Sequence, residues 1–589
     1  MFSVLLFSLL IEGGLRLIGY GSSPRFYRVE KSDDGSRIYR ENQSFAFPYF
    51  EKSVMRKPQP FRLAYTKPAD EYRVFLLGSS AAMGDPEASF SISRVLELML
   101  DEAYGDRDFK VVNAAMTAIN SHVVRRIAED CTRLSPDLFI VYEGNNEVIG
   151  PFGPTGALTP FLGSEAMIDT TIRLRSSRTG QLISNLVAFG GNEDTPEGWG
   201  GMQMFLKQKV TRDDLRLDNV ERLFVSNLRH IVRSGKSVGI PTFLCTVLTN
   251  QRDFAPFQSR HAPNVTPTQL KEWEQLINRG DEALIDGNPD AAESAYQQAW
   301  DIDNAYAALA YKLGRLYLQK NADAQAGKYL QLALDLDTLR FRTDSRLNQA
   351  ICDQAAEGES SCSLVDLETV FTQASSHHIM GDEWLYEHVH LNFYTNYQIA
   401  GVLYEIVSDE LLKSGKIQEK HPQRLDYETV GKTLGYTLYE QGLIANELLN
   451  RFQKPPFTAQ IDHTARLAAW QERVEKIDRA LSNPDVRSQV IRDYQAAIDR
   501  RPADWILRRN FGMALLAFDR PDRAVPLLET ALNTINDDPD TLFALGVAYA
   551  SCDRIAEARK VFEKLEKMEP RYPGLTDWKR KLNSRPVHS

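Results

Sequence analysis

Five short apolar runs, closed by small or polar residues and separated by helical stretches, constrain this chain more than any other feature. The first is Arg73 to Gly78, where Val74, Phe75, Leu76 and Leu77 form an uncharged run that reads as a buried strand. Gly78 allows a sharp exit, so Ser79 and Ser80 fall where the chain turns toward a helix and its free backbone N–H groups. Ala88 to Tyr104 follows, with Ile92, Val95, Leu96, Met99 and Leu100 at helical spacing. Phe109 to Asn113 reads as a second strand, Val123 to Leu134 as a helix, Asp137 to Tyr142 as a third strand, Val220 to Ser234 as a helix and Ile240 to Val247 as a fourth strand. Ser363 to Phe371 reads as a fifth strand with its exit, and Asn392 to Leu412 as a closing helix. Strands alternating with helices in this way predict a parallel sheet covered on both faces, with ligands taken at the carboxyl ends of the strands.

A different period interrupts this alternation. Between Thr266 and Asp337, Gly280 and Gly314, Ala292 and Ala326, and Ala299 and Ala333 stand 34 positions apart. The interval returns near the end in Gly512 and Gly546, in Ala524 and Ala558, and in Ala497, Ala531 and Leu565, with Pro502 and Pro570 closing their repeats. The pattern resembles the tetratricopeptide repeat (TPR), a helix pair whose small residues let neighbouring helices approach closely. Two repeats cannot bury their own faces, so the first pair is expected to lean on the sheet domain or on the later repeats.

At 589 residues the chain exceeds what one core supports, and 69 basic against 79 acidic residues give no electrostatic reason to expect nucleic acid. Cys131, Cys245, Cys352, Cys362 and Cys552 are few and in no metal-ligand spacing; Cys352 and Cys362 could pair in an oxidising compartment, but two free thiols are the favoured reading. Met1 to Ile11 is almost wholly apolar, and Leu15, Leu17 and Ile18 extend the run past Glu12 and Arg16. That is short of the roughly 20 apolar residues of a full span. It reads as the last part of a signal anchor, against the alternative of a helix docked on the protein's own surface.

Later strand ends supply groups that a serine nucleophile needs. The second is followed by Asn113-Ala114-Ala115-Met116-Thr117-Ala118, a small-residue turn able to aim a backbone N–H. The third is followed by Gly144-Asn145-Asn146-Glu147, and the fifth by Glu387-His388-Val389-His390. A serine hydroxyl needs a histidine to take its proton and a carboxylate to hold that histidine, and the resulting oxyanion needs preorganised donors.

This ordered set resembles the SGNH hydrolase superfamily, the GDSL-type esterases. The family carries Gly-Asp-Ser after its first strand, a glycine block after the second, Gly-x-Asn-Asp after the third and Asp-x-x-His near the domain's end. The resemblance implies Ser80 as nucleophile, His390 as base and Glu387 as its orienting partner, with oxyanion donors from Ser80, Ala118 and Asn146. Ser79, Ala118, Glu147 and Glu387 depart from the family's residues, yet none removes a reacting group. The Ala118 N–H serves only if its turn does not require positive φ. Taken singly, Ser80 could cap a helix, Asn146 could be a turn residue, His390 could be structural with His388 a rival, and Glu387 could be a solvated charge with Asp382 a substitute.

The expected architecture is an α/β three-layer SGNH (flavodoxin-like) domain with a parallel sheet, plus all-α TPR repeats. Residues 1–22 would form the membrane anchor, 68–262 and 338–415 the two parts of the hydrolase domain, and 266–337 the inserted repeat pair. Residues 416–488 would be a helical connector, interrupted at Pro455-Pro456, and 489–575 the terminal repeats. The family resemblance implies an ester hydrolase for an acylated small molecule, lipid or carbohydrate, with no cofactor or metal. It also allows an O-acyltransferase or deacetylase acting on envelope polysaccharide, and an anchored chain would place that chemistry outside the bacterial cytoplasmic membrane. The alternative from another class is an inactive sheet domain on a protein-binding TPR scaffold. Pro24 to Lys67 carries no assignable pattern. Arg340, Arg342 and Arg346 either face an anionic substrate or, as favoured, bridge acidic residues. Thr246 to Asp253 is expected to shape the pocket, and Gly150 to Gly156 to cover it. Trp199 reads as packing, and His377-His378 has no third ligand at metal spacing.

Overall fold

The computed structural model describes residues 2–32, 34–156, 158–189, 200–357, 361–421 and 423–583. Trp199 lies outside them. The chain divides into two compact units: Met1–Gln59 with Leu63–Ile417 and Asn450–Ala468, and Pro60–Arg62 with Gln418–Leu449 and Ala469–Ser589.

The first unit opens with helix α1 (Phe2–Leu17) and a small sheet of β1 (Tyr27–Lys31), β2 (Arg37–Glu41) and β3 (Arg62–Ala64). These strands occupy the stretch that carried no sequence pattern. They are too short and too polar to show a period, and the aromatic residues around them, including Phe26, Phe45 and Tyr49, are buried.

The main sheet contains β4 (Glu71–Gly78), β5 (Asp108–Asn113), β6 (Leu138–Tyr142), β7 (Thr242–Cys245) and β8 (Cys362–Val365). Its order is β5-β4-β6-β7-β8 and every pairing is parallel. By chain order this is 2-1-3-4-5, a doubly wound arrangement in which ligands generally bind at the carboxyl ends of the first and third strands. Every residue of β4 and β6 is buried, as expected of strands covered on both faces. The register pairs Leu76 with Asn113 and Gly78 with Tyr142, so β4, β5 and β6 all end at one edge.

Around the sheet run α2 (Ser80–Met83), α3 (Ile92–Ala103), α4 (Ser121–Cys131), α5 (Glu165–Ser176), α6 (Arg178–Phe189) and α7 (Arg216–Ser237). Between β7 and β8 the chain inserts α8 (Pro267–Ile285), α9 (Pro289–Ile302), α10 (Ala307–Gln319) and α11 (Asp323–Leu336), followed by α12 (Ser345–Ala356). The unit continues with α13 (Leu367–Ala374) and α14 (Phe393–Lys413). The inserted helices share one core with Ala255 and Ile379 of the α/β body, which covers the face that two helix pairs leave open.

The ends of the insertion are clasped together. Asp337 accepts from the N–H of Phe257 at 2.8 Å and of Gln258 at 3.1 Å, and the Thr338 N–H donates to Gln258 O at 3.0 Å. The arginines after the insertion bridge: Arg340 donates to Val210 O, Asp335 O and Asp344, and Arg342 to Asn250 O, Phe254 O and Asp337. All five cysteines are free thiols, Cys352 and Cys362 included.

Next come α15 (Tyr427–Leu434), α16 (Leu438–Phe452) and α17 (His463–Leu481). Residues 450–468, which the sequence places inside a single connector, pack with the α/β body. Phe457 lies against Phe254 and Phe257, and Gln460 Nε2 donates to Ala255 O at 2.6 Å. The second unit contains α18 (Pro484–Arg500), α19 (Trp505–Ala517), α20 (Pro521–Thr534), α21 (Pro539–Ser551), α22 (Ile555–Met568) and α23 (Leu575–Asn583).

The 34-residue period has a direct physical cause. A Cβ on Gly280 would lie 2.3 Å from the Tyr296 ring, on Gly314 2.6 Å from Leu330, on Gly512 2.6 Å from Leu528 and on Gly546 2.4 Å from the Phe562 ring. In every pair the first helix brings bare backbone against a large side chain of the second. Gly546→Val is therefore expected to destabilise the terminal repeats by about 2 kcal/mol or more through overpacking, read as a lower midpoint of helical ellipticity in urea.

Candidate active site

The shared strand edge gathers residues from four segments. Gly78 ends β4 with φ of 159°, and a Cβ there would lie 2.1 Å from Tyr142 O, so β4 and β6 close up only because the side chain is absent. Ser79 is the N-cap of α2 and is buried, while Ser80 begins the helix and is partly exposed. The Glu387–His390 segment forms a tight hairpin, with a bridge between Leu385 and Leu391 and the Tyr386 N–H donating to His390 O at 2.9 Å. The segment after β7 holds this hairpin: Asn250 N donates to His388 O at 3.0 Å, and the N–H groups of Gln251 and Arg252 donate to Met380 O.

His390 Nε2 lies 2.8 Å from Ser80 Oγ, and its Nδ1 contacts the buried carboxylate of Glu387. Three sequence-derived residues thus meet as a hydroxyl, an imidazole and a carboxylate. Burial pushes His390 down to about 4; the Asp85 charge opposes this and Arg451 reinforces it. The imidazole is therefore neutral at pH 7 and able to accept a proton.

His388 contacts the other oxygen of Glu387, and its ring sits among Phe254, Phe257, Phe341 and Phe457. Asp382 is engaged by Asn250 Nδ2 at 2.7 Å and by Arg466, so it does not serve the imidazole. Glu387, His388 and His390 also place one ligand-type atom each within 4.8 Å of one another. Sequence spacing marks His377-His378 rather than this grouping, and those two residues bond Asp323 and Gln373 O.

The donors are arranged less simply. Among the described residues, neither the Ser80 N–H nor the Ala118 N–H donates to a backbone or side-chain acceptor. Ala118 has φ of 59°, so the turn does require the left-handed region; contrary to the condition drawn from the sequence, alanine adopts it, at a cost of roughly 1 kcal/mol, and the N–H is retained. Asn146 Nδ2 donates to Ile119 O at 2.9 Å, which uses one of its two hydrogens and ties the asparagine to the Ala118 turn. Asn145 instead receives the Thr343 N–H and hydroxyl at 3.2 and 2.7 Å. The Gly150–Gly156 loop is buried apart from its last residue and is tied to the strand end: Gly150 N donates to Asn146 O and Asn120 Nδ2 to Pro151 O.

Three polar residues without a sequence signal complete the surroundings. Asp85 Oδ1 is 4.0 Å from His390 Nε2 and 2.6 Å from Arg451 Nη1, and Arg56 Nε donates to Thr117 Oγ1 at 2.7 Å, next to Ala118. Arg56 comes from irregular chain whose periodicity is silent, and Arg451 from the last turn of α16, within the stretch the sequence reads as a connector. Asp85 follows α2 by two residues, a placement that could have marked it.

Beneath the serines, Glu143 and Glu147 are both buried. Glu147 accepts from the Ser121 N–H at 2.8 Å and its hydroxyl at 2.7 Å, capping α4. Burial pushes Glu147 up to about 7, and burial together with the neighbouring Glu147 charge pushes Glu143 well above the usual carboxylate range.

Residues 491–574 match the tetratricopeptide repeat family and form such repeats. No curated protein matches the chain. Among solved structures, a tetratricopeptide repeat protein from Parabacteroides merdae is similar at 15% identity, over 53% of this chain and 99% of that one, with a TM-score of 0.19. The TPR2AB domain of yeast Sti1, solved in complex with pHSP90, is similar at 11% identity over 53% and 96%, with a TM-score of 0.15. These scores lie far below that of a shared overall fold, so the repeats rest on the family match and on helix geometry.

The buried carboxyl pair has a measurable consequence. Groups held above their ordinary pKa bind protons in the fold that the unfolded chain releases, so their contribution to stability is complete below about pH 4 and is lost as pH rises toward 7. Glu147→Gln keeps an acceptor for Ser121 and removes one titration. Its unfolding free energy is expected to change less than the wild type's between about pH 5 and pH 8, by on the order of 2–3 kcal/mol in urea titrations.

Proposed function

We propose that the chain is a serine ester hydrolase of SGNH type, acting through an acyl-enzyme on Ser80, with its tetratricopeptide repeats binding protein. The observation that carries this reading is the 2.8 Å contact between Ser80 Oγ and a His390 imidazole whose other nitrogen meets Glu387. His390 takes the Ser80 proton as Oγ attacks the ester carbonyl carbon, and Glu387 holds Nδ1–H and steadies the imidazolium. The negative charge on the carbonyl oxygen is received by the N–H groups of Ser80 and Ala118 and the amide of Asn146. Collapse expels the alcohol, which takes its proton from His390. A water activated by the same imidazole then releases the acid and restores Ser80. An acceptor hydroxyl in place of that water would make the same site an O-acyltransferase.

The test is turnover of p-nitrophenyl acetate. Ser80→Ala and His390→Ala are each expected to lower kcat/KM on the order of a thousandfold or more with the fold intact by circular dichroism. Equal background rates in wild type and Ser80→Ala would leave the scaffold reading standing. Supplying a sugar acceptor and seeking the acylated product by mass spectrometry separates transfer from hydrolysis.

The reading also fixes a pH profile. Burial holds the free-enzyme imidazole at about 4, and the Asp85 charge opposes that fall. The acidic limb of kcat/KM is expected between about pH 4 and the ordinary histidine value of roughly 6.5, with a plateau above it. Stopped-flow rates across buffers of constant ionic strength would check it.

A further inference from the structure

Helix α1 is not a free tail. Glu12 accepts from the Thr179 N–H and hydroxyl at 3.0 Å each, at the start of α6. Gln181 receives the Ser22 N–H at 2.8 Å and donates to Ser22 O at 3.1 Å, and Asn185 Nδ2 donates to Tyr20 OH at 2.8 Å. These bonds fix α1 and the turn after it on α6, whose partner is α5.

The joint surface is unusually apolar for one facing water. Seven of the eighteen large apolar side chains exposed among the described residues lie here, with Leu17 89% exposed and Leu174 and Leu186 63%. Beside them opens a cleft of about 480 Å³ lined by Arg16, Arg25, Arg173 and Arg178, with Ser23 and Ser176 among the other lining residues. Arg16 pairs with Glu12 at 2.9 Å, whereas Arg25, Arg173 and Arg178 make no ion pair among the described residues. One guanidinium nitrogen of Arg178, Nη1, is buried without a hydrogen-bond partner.

We propose that the face built from α1, α5 and α6 docks this chain on an anionic lipid surface, the arginine cleft receiving phosphate headgroups while the surrounding leucines and isoleucines enter the acyl boundary. Cationic groups set among exposed apolar side chains match the two layers of such a surface, which a protein partner or a second copy would have to reproduce with acidic residues ringed by apolar ones. Among the described residues, no helix is long and apolar enough to cross a membrane. Docked through α6, α1 lies along the interface.

The experiment is co-sedimentation of the full chain with vesicles of phosphatidylcholine alone or mixed with phosphatidylglycerol. Binding is expected to the mixed vesicles at low salt, to weaken as salt is raised, and to be at least about tenfold weaker to phosphatidylcholine. Arg173→Glu/Arg178→Glu should cut partitioning to the mixed vesicles roughly tenfold or more. Leu174→Asp/Ile183→Asp should also lower it, with the thermal midpoint of either variant unchanged. Absence of vesicle binding, equal binding to both compositions, or unaltered binding by the charge-reversed variant would overturn the proposal. Dimerisation without vesicle binding would assign the face to a second copy. None of these readouts involves ester turnover, so the outcome is independent of the hydrolase reading.

Discussion

The contact between Ser80 and His390 joins groups 310 positions apart, and much of the first unit is arranged to hold it. One end depends on the level ending of β4 and β6, which requires that Gly78 carry no side chain. The other depends on a hairpin without a sheet of its own, secured by backbone bonds from the segment after β7 and by the N-cap of α14, where Asn392 accepts from Thr395 N at 2.9 Å. A hydroxyl and an imidazole on such different supports keep hydrogen-bond distance only if both supports are stiff. Burial of Glu387 and the aromatic wall around His388 supply that stiffness on the histidine side.

The same edge concentrates features that ordinary packing would remove. Ala118 occupies left-handed backbone, and two carboxyls sit buried behind the serines. Each opposes stability on its own, and each is compensated locally. The Ala118 turn is tied through Ile119 O to Asn146, and Glu147 offsets its burial by capping the first turn of α4 with two hydrogen bonds. Backbone strain and buried carboxyl groups are thus gathered within a few residues of Ser80, as is common at functional sites.

Much of this was legible in the sequence because the main sheet is parallel. Strands buried on both faces read as unbroken apolar runs, and Val74–Leu77 and Leu138–Val141 are such runs, so the polar residues after them fall by necessity at the ligand edge. The 34-residue period was legible for a related reason: Gly280, Gly314, Gly512 and Gly546 each meet a large side chain at a fixed point in the pair. Arg56, Asp85 and Arg451 were not legible. Arg56 and Asp85 reach the site from chain without periodicity, and Arg451 from the last turn of α16, where the 450–468 segment begins; that segment's attachment depends on Phe457, Gln460 and Arg466 rather than on any repeating pattern. The β1–β3 sheet was hidden by the brevity of its strands.

The insertion between β7 and β8 shows how two architectures share one core without disturbing the site. A pair of helical repeats placed between adjacent parallel strands would splay the sheet if its ends entered apart. The Asp337 carboxylate gathers Phe257 N, Gln258 N and Arg342 at a single point, so the insertion departs and returns through one narrow stem. That stem is also part of the site's wall, because Phe257 and Phe341 both pack on the ring of His388. Removing the Asp337 charge would leave the buried Arg342 guanidinium with only carbonyl partners, Asn250 O and Phe254 O, and Asn250 is the residue that holds the histidine hairpin. The inserted repeats and the Glu387–His390 hairpin are therefore supported by the same small set of buried polar contacts.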